Sequence, residues 1–233
     1  MLNNKTLLAI IPARGGSKRL PRKNVLDLAG KPLIAWTIEA AKNSSYIDKI
    51  VVTSDDNEIL QVASNHGADV IVRPAELAND TATTFDVIKH AIENKSGHFD
   101  YVVVLQPTSP LRNSMHIDEA IELLFEKQAD GIISICEAEH SPLWSNTLPD
   151  NGNLDNFILD KIKKTRSQDL PKYYRLNGAI YICNSVALLF QNSLMLDKQS
   201  FAYVMDVDSS VDIDTLHDFE LVKCKLLQKG IRA

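Results

Sequence analysis

The stretch Leu7-Leu8-Ala9-Ile10-Ile11-Pro12-Ala13-Arg14-Gly15-Gly16-Ser17-Lys18-Arg19-Leu20-Pro21-Arg22-Lys23-Asn24 decides the reading of this chain. Its first five residues are all apolar, the pattern of a strand buried on both faces in a parallel sheet rather than a half-exposed one. Pro12 ends the run, two glycines follow, and five of the ten residues from 14 to 23 are cationic. Paired glycines allow a tight turn that presents backbone N–H groups to an anion, while Arg and Lys add charge. A buried strand that runs into such a turn is what a nucleoside triphosphate site needs at the carboxyl end of a first strand.

Working outward, short apolar runs of the same kind recur at 50–53, 70–72, 101–105 and 132–135. Helical patterns lie between them: one opened by Pro32 at its first turn, others near 58–65, 84–93 and 114–127. Strand–helix alternation predicts an α/β fold with a doubly wound, mostly parallel sheet and ligands at the strand carboxyl ends. Regularity lapses after Glu139. Residues 141–172 contain Pro142, Pro149, Asn151-Gly152 and Pro171, and a structureless loop of that length is unusual inside a compact domain. The segment reads as a lid or oligomerisation arm inserted into a single domain of residues 1–233. A strand-like 179–183, a short helix, a strand-like 203–205 and a C-terminal helix from about Thr215 complete the pattern.

The length of 233 residues suits one sizeable α/β domain, and 45% apolar with 24% charged residues is ordinary for a soluble protein. A formal charge of -5 argues against nucleic acid or an anionic membrane as partner. Cys136, Cys183 and Cys224 show no CxxC spacing, so reduced, buried thiols are expected. The run 7–11 is too short for a signal-peptide core, and no run approaches the roughly 20 apolar residues of a membrane span. A cytoplasmic location follows as the expectation.

The basic loop lacks both the Gly-Lys-Ser/Thr ending of a P-loop and the GxGxxG spacing of a dinucleotide turn. On charge alone a solvated basic turn stays open beside a phosphate site. Asp212 and Asp214 stand two apart in an extended segment, which puts both carboxylates on one face, close enough to share a hard cation. Asp206 and Asp208 have the same spacing, Asp55-Asp56 follows the second strand, and Asp214 would also serve as an N-cap of the last helix. The histidines form no HxxxH or HExxH pattern, and no Ser/His/Asp set is readable.

The stretch 10–24 closely resembles the opening of the acylneuraminate cytidylyltransferases, the CMP-sialic acid synthetases, a family that includes enzymes for legionaminic and pseudaminic acid. The resemblance continues through Arg73-Pro74-Ala75-Glu76-Leu77, Asp80-Thr81-Ala82-Thr83-Thr84 and Leu105-Gln106-Pro107-Thr108-Ser109-Pro110-Leu111-Arg112. It returns in Arg175-Leu176-Asn177-Gly178-Ala179-Ile180-Tyr181 and Val211-Asp212-Ile213-Asp214-Thr215. It implies a glycosyltransferase-A-like nucleotide-diphospho-sugar transferase fold, a homodimer and Mg²⁺, with Mn²⁺ as the alternative. The implied reaction moves CMP from CTP to the anomeric hydroxyl of a nine-carbon acidic sugar, N-acetylneuraminate, with legionaminic or pseudaminic acid as the alternative acceptor. A 3-deoxy-manno-octulosonate cytidylyltransferase and a non-catalytic nucleotide-binding module are the more distant readings.

Residue by residue, the resemblance places the triphosphate on Ala13, Arg14, Gly15, Gly16, Ser17, Lys18, Lys23 and Asn24. Arg14 and Lys18 are the neutralising pair, suited to charge that builds on phosphate oxygens as the α-phosphorus is attacked. Arg73 and Thr84 match cytosine-contacting positions, although by themselves they read as a surface cation and a helix N-terminal residue. Gln106, Arg175, Asn177 and Tyr181 match the sugar site, and Gln106 alone would read equally well as a strand-end amide. Arg166 or Arg175 is the bidentate cation for the sugar carboxylate. Asp212 and Asp214 are assigned to the metal.

Overall fold

The computed structural model describes residues 4–79, 81–228 and 230; Asp80, in one of the motifs above, lies outside them. β1 (Leu7–Pro12) is followed by a two-residue hairpin of β2 (Asp27–Leu28) and β3 (Lys31–Pro32), then α1 (Leu33–Lys42). β4 (Lys49–Ser54), α2 (Asn57–Asn65), β5 (Asp69–Val72), α3 (Thr84–Glu93) and β6 (Tyr101–Leu105) continue the alternation. α4 (Ser114–Glu126), β7 (Gly131–Glu137), α5 (Asp160–Lys163), β8 (Tyr174–Asn184), α6 (Ser185–Gln191), β9 (Ser200–Met205) and α7 (Leu216–Gln228) close the chain.

The main sheet has the order β5-β4-β1-β6-β8-β7-β9. Only the pairings that involve β8, with β6 and with β7, are antiparallel. The doubly wound arrangement is visible along β1 itself. Leu7, Ala9 and Ile11 face a core built with α1, α2 and α4, and Leu8 and Ile10 face a second core with α3 and α6. That is why an uninterrupted apolar run, rather than an alternating one, marks this strand.

From β1 the chain winds out to β4 and β5, then crosses back to β6 on the other flank of β1. The order therefore reverses between β1 and β6, and a crevice opens at their carboxyl ends, where Pro12 and Gln106 sit. A third apolar cluster joins Leu20, Leu28, Leu33 and Trp36 to Ile213 and to Phe219, Val222 and Leu226 of α7. The last helix thus clamps the segment around Ile213 against the start of the chain.

Three local readings are corrected. Pro32 is the N-cap of α1 rather than a residue of its first turn. β8 begins at Tyr174, five residues before the expected 179, because Leu176, Arg175 and Tyr174 pair with Ile135, Cys136 and Glu137 of β7. Cys224 is exposed, whereas Cys136 and Cys183 are buried as expected. The irregular segment starts beyond the tip of the β7–β8 hairpin, where the Ala138 N–H donates to the Tyr173 carbonyl at 2.8 Å. Of its apolar residues Ile162 is buried, and Trp144, Leu148, Leu154 and Leu159 are exposed. Among the described residues no helix is long and apolar enough to cross a membrane.

Candidate active site

The basic loop is held from below. The Ala13 N–H donates to the Thr53 carbonyl at 3.0 Å, and Asn24 Nδ2 donates to the Arg14 carbonyl at 3.0 Å. Arg73 is buried, and its Nη2 donates to the carbonyls of Ala13 (3.0 Å) and Thr53 (2.6 Å). Arg73 therefore ties β1 to β4 behind the site; it is no surface cation. Burial pushes its pKa down, Asp55 opposes that, and Arg14 reinforces it.

The glycines act differently from expectation. The Gly15 N–H donates to Asp55 Oδ1 at 3.1 Å, so in this structure the protein's own carboxylate takes a donor that the turn was expected to present to an anion. A Cβ on Gly15 would lie 2.8 Å from Asp56 Oδ2, so glycine is needed for close approach to the end of β4. The left-handed residue of the loop is Arg22, at φ 59, whose guanidinium pairs with Asp56 and Glu58. The carboxylates after β4 are thus loop anchors, a role the Asp55-Asp56 spacing alone did not reveal.

Two cavities adjoin at the switch point and share Pro12, Arg14 and Gln106. One, of about 410 Å³, is lined further by Ser17, Lys18, Arg19, Lys23, Asn24, Thr108 and Asp214. The other, of about 320 Å³, is lined by Arg73, Leu77, Asn79, Thr83, Thr84 and Val87. Thr84 opens α3 and Thr83 is the N-cap, closing a capping box with Asp86. The first cavity concentrates cations, and the second is narrower and mixed. Gln106 stands between them.

Asp212 and Asp214 flank Ile213, which is fully buried, so both carboxylates face away from the core. Asp214 pairs with Arg19 at 2.8 Å and with Lys23 at 3.2 Å, and Lys23 Nζ also donates to the Ile213 carbonyl at 2.5 Å. Part of Asp212 reaches solvent, yet the protein packed around its carboxyl raises its pKa. Thr108 and Lys23 oppose that shift, and the charges of Asp214 and Asp218 add to it. Asp214 is not the helix cap: Asp218 accepts from the N–H groups of Asp214 (3.1 Å) and Thr215 (2.7 Å), and Thr215 Oγ1 accepts from the Asp218 N–H. The rival carboxylates are otherwise employed. Asp206 accepts from the Ser209 N–H at 2.7 Å, and Asp208 pairs with Lys225 at 2.5 Å.

Among the described residues no group of three or more His, Cys, Asp or Glu side chains converges as a metal cage. Asp214 lines the cationic cavity and Asp212, two residues before it, lines the cavity that holds Arg175. Carboxylates so placed suit a hard cation that takes its other oxygens from phosphate and water, as Mg²⁺ does.

The residues matched to the sugar are brought together only in part. Tyr181 is half-buried; burial, and next the charge of Asp212, raise its pKa. Arg175 lines a cavity of about 420 Å³ with Asp212, Asp208, Asp218, Glu139 and Lys225. Its guanidinium grips Glu139 at 2.6 and 3.1 Å, and that pairing holds the Glu139 carboxyl down at about 2. Asn177 is 3% exposed, with its amide bonded to Ser134, Ala179, Ser210 and Met205. Its polar atoms therefore knit β8 to β7 and to the turn after β9. Arg166 lies apart, in a cavity of about 900 Å³ formed by the hairpin tip with Trp144, Gln168 and Lys172. It does not meet Gln106 or Tyr181 in its own chain. Thr108 was missed as an individual residue, although the motif 105–112 contained it.

A family model described as Cytidylyltransferase matches residues 8–229. The chain belongs to the cytidylyltransferase family. It is 42% identical over 217 residues to the N-acylneuraminate cytidylyltransferase of Escherichia coli, an alignment that covers 92% of this chain and 51% of that protein. The chain thus spans about half the length of that relative. It is 39% identical over 220 residues to the pseudaminic acid cytidylyltransferase of Campylobacter jejuni, covering 93% of this chain and 94% of that one. In fold it is similar to a CMP:2-keto-3-deoxy-manno-octonic acid synthetase solved in complex with CTP. The TM-score is 0.74 at 18% identity, over 96% of this chain and 99% of that one.

Proposed function

We propose that this cytidylyltransferase transfers CMP from CTP to the anomeric hydroxyl of N-acetylneuraminate and releases pyrophosphate. The observation that carries the reading is the pair of adjoining cavities at the switch point, one rich in cations and one mixed, joined by Arg14 and Gln106. The cationic cavity suits the triphosphate, held by Arg14, Lys18, Lys23 and the backbone of residues 13–17 with Asn24 beneath. The second suits cytosine, whose ring is read by backbone groups and Thr84 over the buried Arg73. The anomeric oxygen attacks the α-phosphorus, its proton is lost, and the bond to the pyrophosphate oxygen breaks. Fixed cations lower this barrier because they face charge as it develops.

Asp212 and Asp214 would hold Mg²⁺, and their oxygen donors suit Mn²⁺ as well. Such an ion supplies charge neutralisation at the phosphate and lowers the pKa of the attacking hydroxyl. Burial is the main cause of the raised pKa of Asp212, and the nearby charge of Asp214 adds to it; a bound cation would offset both.

The unit proposed is one domain with residues 141–172 as an arm, acting as a homodimer in the cytoplasm without nucleic acid or membrane. Support for the dimer comes from exposed Trp144 and Leu148 on the arm and from Leu176 and Val204, which share Ile135 as register partner on the sheet. A second acceptor is favoured by a specific observation. The Campylobacter jejuni relative matches end to end at nearly the same identity as the Escherichia coli one. Pyrophosphate release from CTP with N-acetylneuraminate, pseudaminic acid and legionaminic acid in parallel tests the reading. Highest kcat/KM with the first is expected; no release with any of them sinks it.

A further inference from the structure

Arg112 presents a problem that fold stability does not answer. It is 1% exposed, and among the described residues no carboxylate pairs with it. Its Nη2 donates to Thr37 Oγ1 at 2.7 Å, while Nε and Nη1 are buried without a partner. Burial alone lowers its pKa, to about 9. A buried charge of this kind is costly, and an apolar side chain of similar volume usually serves a core at least as well. A cavity of about 320 Å³ lies beside it, lined by Trp36, Asn43, Asn113 and Leu226, but the unpartnered N–H groups are out of reach of solvent. A ligand there does not account for them.

What the guanidinium does hold leads into the cleft. Thr37, fully buried on α1, donates to the Gln106 carbonyl at 3.4 Å. That carbonyl also accepts the Ser109 N–H at 3.4 Å, and the Ser109 carbonyl accepts the Arg112 N–H at 3.3 Å. The turn from 106 to 112 is therefore gripped at both ends. It carries Gln106 between the two cavities, and its Thr108 carbonyl accepts the Ile213 N–H at 2.8 Å, between the two aspartates.

We propose that Arg112 is a positioning residue: acting through Thr37, it fixes the turn that sets Gln106 and the Asp212–Asp214 segment against each other. The role deepens the cytidylyl-transfer reading and rests on it for the kinetic part of its test. Arg112→Met and Thr37→Val are measured for melting temperature, for KM of CTP and for kcat of pyrophosphate release. Expected are a melting temperature of Arg112→Met equal to or above the parent, a KM within about twofold, and a kcat lower by about tenfold or more, the scale of small misplacements. Thr37→Val should show the same split. The double variant should be no worse than the poorer single one, because both remove one relay. Unchanged kcat in the folded variants, or losses that multiply, would overturn the proposal. Should Arg112→Met fail to fold, Thr37→Val, nearly the same shape, decides alone. Amide hydrogen exchange gives a readout free of the reaction. Faster exchange confined to residues 106–112 is expected in folded variants, and unchanged exchange overturns the positioning role even in a chain that turns over no sugar. Absence of turnover in the parent, with the exchange change present, sinks the reaction and not the positioning.

Discussion

Two irregular segments, the loop at residues 13–24 and the hairpin tip at residues 138–173, each carry five Lys and Arg residues; the tip adds five carboxylates and the loop none, and they are built in opposite ways. The loop is anchored by buried groups: its own Lys23 and Asn24 donate to the carbonyls of Ile213 and Arg14, and Arg73 donates to that of Ala13. The tip has Ile162 buried, presents Trp144, Leu148, Leu154 and Leu159 to solvent, and bonds mostly to itself. The same number of cations thus accompanies an anchored loop in one place and an uncovered surface in the other. What separates them is what lies beneath. The loop follows a strand buried on both faces, and the tip extends past the last pair of an antiparallel hairpin.

The sharpest way to break the comparison is at the carboxylates the loop faces. Asp212→Asn and Asp214→Asn should each cut turnover by at least roughly a hundredfold, as expected when a metal's stabilisation of the transition state is lost. Asp212→Asn should do so without loss of stability. Because the folded pKa of Asp212 is raised, the stability it contributes is present below its unfolded value and is lost as pH rises through the folded one. At neutral pH its ionised form therefore works against the fold. Asp206→Asn should reverse the pattern, keeping most turnover while weakening the turn it holds at Ser209. Equal kinetic losses at 206 and 212 in folded proteins would assign the wrong pair.

Next in size is Lys18→Ala, which should cost roughly 2–4 kcal/mol in kcat/KM for CTP, the scale of one donor to a developing oxyanion. The KM of the sugar should hardly move. Intact CTP turnover would make the loop a solvated turn, no different in kind from the hairpin tip.

The tip is tested by subunit exchange. An Arg166→Ala chain mixed with an Asp212→Asn chain should partly regain activity if Arg166 acts across a dimer, because one site of each mixed pair is then intact. Activity that stays low assigns Arg166 to its own chain. Light scattering that finds a monomer at working concentration removes the dimer itself.

Much of this was legible in the sequence where one interaction dominates. Runs such as Leu7 to Ile11 and Tyr101 to Leu105 are buried on both sides, so hydrophobicity alone reports their strands, and paired glycines beside cations report the loop. Legibility fails where a residue's duty depends on long-range neighbours. Arg73 reads as a surface cation because nothing local shows the carbonyls of Ala13 and Thr53 above it. Asn177 is matched to the sugar site by resemblance alone, and nothing local shows the bonds its amide makes to Ser134 and Ser210, while Arg112 passes as the end of a motif. The early start of β8 was hidden because Tyr174 and Leu176, both exposed, alternate with Arg175 and Asn177 and form no continuous apolar run.

The smallest expected effect lies at the root of the tip, where Glu139 pairs with Arg175 of β8. The carboxylate grips the guanidinium with two bonds, the geometry that a sugar carboxylate would also use. If Arg175 serves the acceptor, Glu139 occupies its fork in the meantime and competes with it. Glu139→Gln should then lower the KM of the acidic sugar, by no more than about fivefold, since a pair this exposed is a weak one. KM for CTP should stay the same. The pH dependence supplies a second check. The folded pKa of Glu139, at about 2, lies below its ordinary value of 4.5, so the pair's stabilisation is present above the unfolded pKa and is lost as pH falls toward about 2. Melting temperature measured from neutral pH down to pH 3 should therefore fall less steeply in Glu139→Gln than in the parent, with the two curves converging at the acid end. A KM for the sugar that rises instead would make Glu139 the support of Arg175 rather than its competitor, and would place this corner of the cavity with the anchored loop and not with the open tip.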